Sequence, residues 1–374
     1  MDDSRPAVLG LEDGTIFRGK SFGASADVSG EVVFNTSMIG YPELLTDPSY
    51  LEQIVVMTYP IIGSYGVPSF SRCDKHGIPL HFESETIKVK GYAVHSLSDP
   101  SHWSSEKTIQ EWLEEERVPG ISGLDTRALT RKIRANGTML GFVKTSEEFT
   151  GSDEIGKRLK KLTDPNESDI VKNVSPSEPV HYVNNSDNTV VIIDCGVKYG
   201  ILRSLLASGV SVVRVPYDYS VSDILEFEPA SVVLSNGPGD PKKCSKTIET
   251  TKELLETDIP ILGICLGMQI LALAANGDTY KLKFGHRAVN HPCLDLKTGR
   301  CYITTQNHGY SVSKDSIEGT PFDIRFVNAN DKTIEGFQHQ KKSIMGVQWH
   351  PESSPGPYDT EFLFDRFVKG AVRT

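Results

Sequence analysis

The run Pro260-Ile-Leu-Gly-Ile-Cys-Leu-Gly-Met-Gln-Ile-Leu-Ala-Leu-Ala-Ala275 constrains the fold more than any other stretch of the chain. Ile259 to Ile264 is short, apolar and rich in β-branched side chains, which predicts a buried strand. Leu266 to Ala275 carries strong helix formers and predicts a buried helix. Cys265 falls at the junction, with Gly263 two residues before it and Gly267 two residues after. Paired glycines let strand and helix approach closely, so a strained turn can hold the cysteine side chain out. The helix N-terminus sets partial positive charge and free N–H groups beside the sulfur, which favours the thiolate. The competing reading is a buried structural cysteine, a common fate of free thiols.

Bulk properties set the frame. The chain has 374 residues, enough for two ordinary domains, and its 38% hydrophobic content supplies real cores. A net charge of −10 without a long basic run argues against a nucleic-acid partner. Six cysteines show neither a C-x-x-C pair nor zinc spacing, so no metal site is expected. Met1-Asp-Asp-Ser-Arg-Pro is polar and acidic, unlike a secretory or transit peptide. No apolar run reaches membrane-spanning length without polar interruption. Reduced thiols and a cytoplasmic location are the expectation.

Along the chain, Asp13-Gly14 marks a hairpin between two short strands. Further strands are expected at Gly30 to Ser37, Gln53 to Tyr59 and Ile87 to Val94, with Gly40 to Tyr50 and Ile61 to Pro68 as loops. Ser104 to Arg117 reads as an amphipathic helix with a serine cap, and Asp125 to Gly137 as a second helix, capped by Asp125 and stopped by Gly137. Arg127, Arg131 and Arg134 on that helix suit either a solvated face or an acidic partner surface. Residues 151–188 are rich in Lys, Asp, Asn, Ser and Pro, and read as a short helix followed by a linker.

After the linker the texture changes. Val190 to Asp194, Val210 to Val215, Ser231 to Leu234 and Ile259 to Ile264 are buried-type strands. Helical stretches at Tyr199 to Ala207, Ser222 to Glu226 and Ser245 to Glu256 alternate with them. That alternation predicts a parallel sheet covered on both faces. Ligands in such sheets bind at the carboxyl ends of the strands, where both Cys265 and Ser235-Asn-Gly-Pro-Gly-Asp-Pro241 fall. The rest is strand-like, at Tyr302 to Thr305, Asp323 to Val327, Thr333 to Phe337 and Ser343 to Trp349, and a closing helix runs from Thr360 to Val372.

A thiolate nucleophile needs a base within hydrogen-bond reach and a third group to orient that base. His350-Pro-Glu352 supplies both: the residue before proline is extended, and residues i and i+2 of an extended chain face the same way. The alternative for this tripeptide is a surface turn, and His308, in the loop Gln306-Asn-His-Gly-Tyr310, is the rival base. The Ser235 to Pro241 loop is either a plain connection or an oxyanion hole shared with the N–H of Leu266. No Lys-Ser/Thr follows it, which disfavours a phosphate cradle.

Together Gly263-Ile-Cys-Leu-Gly-Met-Gln269, Ser235-Asn-Gly-Pro-Gly-Asp-Pro241 and His350-Pro-Glu352 resemble class I, triad-type glutamine amidotransferase domains. Leu11-Glu-Asp-Gly-Thr, Gly30-Glu-Val-Val-Phe-Asn-Thr-Ser-Met, Gly40-Tyr-Pro-Glu, Leu45-Thr-Asp-Pro-Ser-Tyr50, Asp125-Thr-Arg127, Asn290-His-Pro and Gln306-Asn-His-Gly resemble carbamoyl phosphate synthetase small subunits. Thr58 to Pro68 is also similar to the glutaminase part of eukaryotic pyrimidine-pathway enzymes. The resemblance covers nearly the whole chain. It implies an α/β protein: a smaller β-rich α/β N-terminal domain over 1–150, a linker over 151–188, and a parallel-sheet amidotransferase domain over 189–374. It implies catalysis by Cys265, His350 and Glu352, and glutamine contacts at Ser49, Gly237, Gly239, Leu266, Gln269, Asn307, Gly309 and Tyr310. Ser49 would place the site near the domain interface. No cofactor is implied for this chain; ATP and magnesium belong to a synthetase partner, separate or fused, that receives the ammonia. Met268, where the family often has histidine, and Ala288, where it usually has glycine, depart from the pattern.

Three other functions compete: an amidotransferase for another synthetase, disfavoured by the N-terminal motifs; a silent subunit, disfavoured by the intact Cys265, His350 and Glu352; and a free-standing cysteine hydrolase.

Overall fold

A computed structural model of the chain describes residues 5–145, 152–184 and 186–371. It divides into two compact units, Met1–Pro165 and Asn166–Thr374. The expected boundary at residues 150/151, and Asn185 in the expected linker, lie outside the described residues. Within the 151–188 stretch, Ser152–Leu159 is a helix of the first unit, and the strand Val180–Tyr182 pairs antiparallel with Ser211–Pro216 of the second.

The first unit is built on a closed barrel. Its strands run in the order Pro6–Leu11, Met139–Lys144, Asp27–Asn35, Gln53–Met57, Gly91–Ala93, Pro119–Ser122 and Ile16–Gly23. Closure leaves none of these strands with an open edge. The hairpin turns at Gly14, in the left-handed region at φ 87°. The helix Thr126–Asn136 is capped by Asp125, whose carboxylate accepts the Ala128 N–H at 2.8 Å. Arg127, Arg131 and Arg134 lie on its exposed side. Three expectations change here. Ile61 to Pro68, expected as a loop, carries two short strands, Ile61–Ile62 and Val67–Pro68. Gly40 to Tyr50 contains a short helix, Tyr41–Thr46, and a 3-10 turn, Pro48–Tyr50. The predicted helix Ser104 to Arg117 begins only at Ile109, because Thr108 and Glu111 form a reciprocal capping box while Ser105–Lys107 is taken into a short strand against Val67–Pro68.

The second unit holds a ten-stranded sheet. Ser211–Pro216, Thr189–Asp194, Ser231–Leu234, Ile261–Ile264 and Ile344–Val347 lie side by side and parallel. The sheet continues antiparallel through Ile334–His339, Phe322–Asn328, Thr279–Asp295 and Cys301–Val312. The central strands are buried on both faces, as their unbroken apolar runs require. The helix Ser245–Glu256 has the predicted bounds, and the closing helix is Phe362–Ala371. The segment Gln306 to Tyr310, expected as a loop, is strand: it runs inside Cys301–Val312, paired with Thr279–Asp295.

Candidate active site

The strand Ile261–Ile264 ends at Cys265, which takes φ 54° and ψ −105° before the helix Leu266–Ala274 begins. A non-glycine residue in that region carries about 1–3 kcal/mol of strain, held by its surroundings. Those surroundings are visible. The Cys265 N–H donates to the carbonyl of Val347 at 2.8 Å, and the Cys265 carbonyl accepts from Gln269 N–H at 3.2 Å. Both flanking glycines are sterically required. A Cβ on Gly263 would meet the Gly267 carbonyl oxygen at 2.7 Å, and one on Gly267 would meet the Leu234 carbonyl oxygen at 2.1 Å. Strand and helix therefore cross closer than any side chain permits. The thiol is buried, and its Sγ donates a long contact to the Asn307 carbonyl at 3.7 Å. All six cysteines are free thiols, and Cys265 alone among them has a left-handed backbone.

His350 follows the strand Ile344–Val347, next to Ile261–Ile264 in the sheet, and its N–H donates to the Thr305 carbonyl at 2.9 Å. Its Nδ1 lies 2.7 Å from Glu352 Oε1. A carboxylate only accepts, so Nδ1 carries the proton. Nε2 has no hydrogen-bond partner, and the Cys265 side chain is one of the groups acting on the ring. Both side chains are fully buried. Burial opposes charge on the imidazole, but Glu352, with Cys265, outweighs it and raises His350 to about 10; Lys198 works the other way. Burial likewise opposes ionisation of Glu352, yet Lys198 and His350 hold its carboxyl well below the usual range.

Lys198 is the residue that reading the sequence missed. Its Nζ donates to Glu352 Oε1 at 2.8 Å, and its side chain is only 3% exposed. The local chain fixes it. Asp194 Oδ1 accepts the N–H groups of Gly196 and Val197 at 2.8 and 2.7 Å, and Asn236 Oδ1 accepts that of Lys198 at 3.1 Å. Its signal was positional: Lys198 follows the carboxyl end of Thr189–Asp194, at the same sheet edge as Cys265 and the 235–241 loop.

The expected glutamine contacts fall as follows. Gly237 lies against the elbow: a Cβ there would meet Cys195 O at 2.2 Å and Leu266 Cδ2 at 2.8 Å. Gly239 is left-handed at φ 85°. Gln269 is buried, its Nε2 donating to Tyr310 O at 2.9 Å and Gln348 Oε1 at 3.0 Å. Asn307, Gly309 and Tyr310 sit on one strand, reached from the elbow through the Asn307 and Tyr310 carbonyls. Ser49 belongs to the first unit, buried in the turn Pro48–Tyr50, where its N–H donates to Asp47 Oδ1 at 2.9 Å. His308, the rival base, is committed elsewhere: Nδ1 lies 2.8 Å from Tyr310 O and Nε2 3.1 Å from the Gln306 side chain. Met268 points away from chemistry. It is fully buried in the core, and a Cβ on Gly346 would meet its Cγ at 2.8 Å. Ala288 is a buried strand residue opposite Gln306.

Residues 191–370 match the family of class I glutamine amidotransferases, and the second unit is a domain of that class. Residues 9–143 match a second family, the CPSase domain of the carbamoyl-phosphate synthase small chain. The chain is 46% identical over 374 residues to the carbamoyl phosphate synthase small chain of Pyrococcus furiosus, covering 99% of this chain and 98% of that one. It is 47% identical over 366 residues to the small chain of Sulfurisphaera tokodaii, covering 98% and 96%. It is also 45% identical over 368 residues to the arginine-specific small chain of Neosartorya fischeri, covering 97% of this chain and 79% of that one. The chain belongs to the carbamoyl phosphate synthase small chain family. No helix among the described residues is long and apolar enough to cross a membrane.

Proposed function

We propose that the chain hydrolyses L-glutamine to glutamate and ammonia at Cys265, and hands the ammonia to a synthetase large chain, or fused synthetase domain, that makes carbamoyl phosphate. One observation carries the reading: the strained, glycine-flanked Cys265 lies beside a buried imidazole oriented by Glu352 at 2.7 Å. Family membership supports the glutaminase role and the need for a partner chain. Cys265 Sγ attacks the side-chain carboxamide of glutamine. The N–H of Leu266 and the Gly237/Gly239 turn receive the developing oxyanion. His350, which holds its proton, stabilises the attacking sulfur as thiolate and then protonates the departing ammonia. Water, activated by the neutral imidazole, hydrolyses the γ-glutamyl thioester. Glu352 keeps the imidazole in the Nδ1–H form, and Lys198 holds Glu352.

Gln269, Asn307, Gly309 and Tyr310 are assigned to bind the glutamine. These steps use side-chain and backbone groups of this chain and a water; ATP and magnesium act in the partner. Carbamoyl phosphate so formed serves arginine or pyrimidine synthesis. Six free thiols favour the cytoplasm as the site of the reaction. Cys265→Ser should abolish glutamine-dependent carbamoyl phosphate synthesis with the partner while added ammonia still supports it. Retained glutamine-dependent synthesis would reject the assignment.

A further inference from the structure

Behind the strand that carries Asn307, Gly309 and Tyr310 lies a buried polar cluster that the proposed reaction does not use. His286 stands opposite His308 across the strand pair, and Ala288 opposite Gln306. In a strand, side chains alternate faces, so Gln306 and His308 share one face while Asn307 and Gly309 take the other. Glu335, on the strand Ile334–His339, is fully buried beside them.

His308 Nδ1 lies 2.8 Å from the carbonyl of Tyr310. A carbonyl only accepts, so a neutral His308 places its single proton on Nδ1. Nε2 is then an acceptor, and the group 3.1 Å from it is the Gln306 amide. Amide oxygen and nitrogen are assigned from such partners. In the structure Gln306 Oε1 faces His308 Nε2 and Gln306 Nε2 lies 2.8 Å from Glu335 Oε2; His308 Nε2 calls instead for the NH2 of Gln306, which exchanges the two ends of the amide and turns its oxygen toward Glu335 Oε2. Two oxygens at that separation need a proton between them. The Thr304 hydroxyl, also beside that end at 3.1 Å, has one proton to share with the His291 carbonyl at 2.9 Å.

The alternative is an ionised Glu335 with a doubly protonated His308. That sets a further buried cation beside the His286 ring, 4.9 Å away between centroids, and beside Arg287. Burial, with those neighbours, holds His308 well below its usual range. Burial also raises Glu335. The other groups facing Glu335 are His286 Nδ1 at 3.5 Å, Asn328 Nδ2 at 3.2 Å, Thr333 Oγ1 at 3.2 Å and the Cys293 thiol. Beyond His286 lie Asp331 at 2.8 Å and the His291 ring at 4.8 Å.

We infer that Glu335 is a neutral carboxylic acid donating to the amide oxygen of Gln306, and that this bond positions the 306–310 strand against the Cys265 site. Glu335 is a positioning residue; it acts through Gln306 and His308 on the strand that presents Asn307 and Gly309. The inference rests on the glutaminase reading only for its consequence for glutamine.

Infrared difference spectroscopy of the native chain against Glu335→Gln tests the proton directly. The native chain should show the carbonyl stretch of a buried protonated carboxyl that the variant lacks. Glutamine hydrolysis then tests the positioning. Glu335→Gln, an isostere of the neutral acid, should keep KM within about twofold, whereas Glu335→Ala should raise KM about tenfold with a smaller change in kcat. Absence of the acid band, or a Glu335→Gln variant as impaired as Glu335→Ala, would overturn the inference. So would one equivalent of a divalent metal retained by the native chain, since ligand atoms of His286, His308 and Glu335 lie within 4.8 Å of one another. If Cys265→Ser kept its glutaminase, the proposed function would fail while the infrared result stood, so the two failures are distinguishable.

Discussion

Replacing Lys198 with methionine removes the ammonium 2.8 Å from Glu352 Oε1 and keeps most of the side-chain volume. Lys198 is 3% exposed and the Glu352 side chain 0%, so water cannot take over the lost contact. Removing one partner of a buried ion pair costs about 3–5 kcal/mol. Here His350 still faces Glu352 at 2.7 Å, which places Lys198→Met toward the lower end, about 3 kcal/mol. That is a large share of a typical margin of about 5–15 kcal/mol. The carboxyl of Glu352 should rise, since Lys198 is the strongest of the groups lowering it. Without the ammonium that fixes its carboxylate, Glu352 orients the imidazole less firmly, and glutamate release should fall on the order of tenfold or more in kcat. Urea unfolding at neutral pH reads the stability through a lowered midpoint with an unchanged slope. A variant with wild-type midpoint and wild-type kcat would refute the claim that Lys198 holds the triad.

Two further outcomes follow from the same geometry. Gly267→Ala sets a Cβ 2.1 Å from the Leu234 carbonyl, a backbone atom that cannot rotate away, and should cost about 1–3 kcal/mol or more and displace the elbow; the unfolding midpoint and glutamate release should both drop. The buried pair also shapes the pH dependence of stability. His350 is raised, so its contribution is full below the usual histidine value near 6.5 and is lost as pH climbs through about 10. Glu352 is lowered, so its contribution is present above the usual value near 4.3 and is lost as pH falls through its folded value. Stability measured against pH should therefore be fullest between about 4.3 and about 6.5 and decline on either side, and Glu352→Gln should flatten both limbs.

Much of this was readable in local sequence because local sequence decides it. The helix Ser245–Glu256 and the strand-to-helix switch at Cys265 are set by side-chain type and by two glycines. His350-Pro-Glu352 did supply the base and its orienting carboxylate, but not through extended backbone: Pro351 and Glu352 form a turn in which the Ser353 N–H donates to the His350 carbonyl at 3.3 Å, and the 2.7 Å bond forms across it. What stayed hidden depends on distance along the chain. A lysine by itself reads as solvated, and its partner Glu352 is 154 residues away. Barrel closure in the first unit pairs Pro6–Leu11 with Met139–Lys144, which no local window contains. The long strand Thr279–Asp295 carries bulges and a left-handed Gly285, which break the alternation that would have revealed it and its partner Cys301–Val312. Thr108 displaced the predicted serine cap because Glu111 sits three residues after it, completing a capping box.

The most direct test of the central claim is to quench the chain during glutamine turnover, digest it and locate the covalent γ-glutamyl adduct by mass spectrometry. The adduct should appear on the peptide carrying Cys265, and disappear in Cys265→Ser. An adduct on any other cysteine, or continued glutamine turnover in Cys265→Ser, would contradict the account.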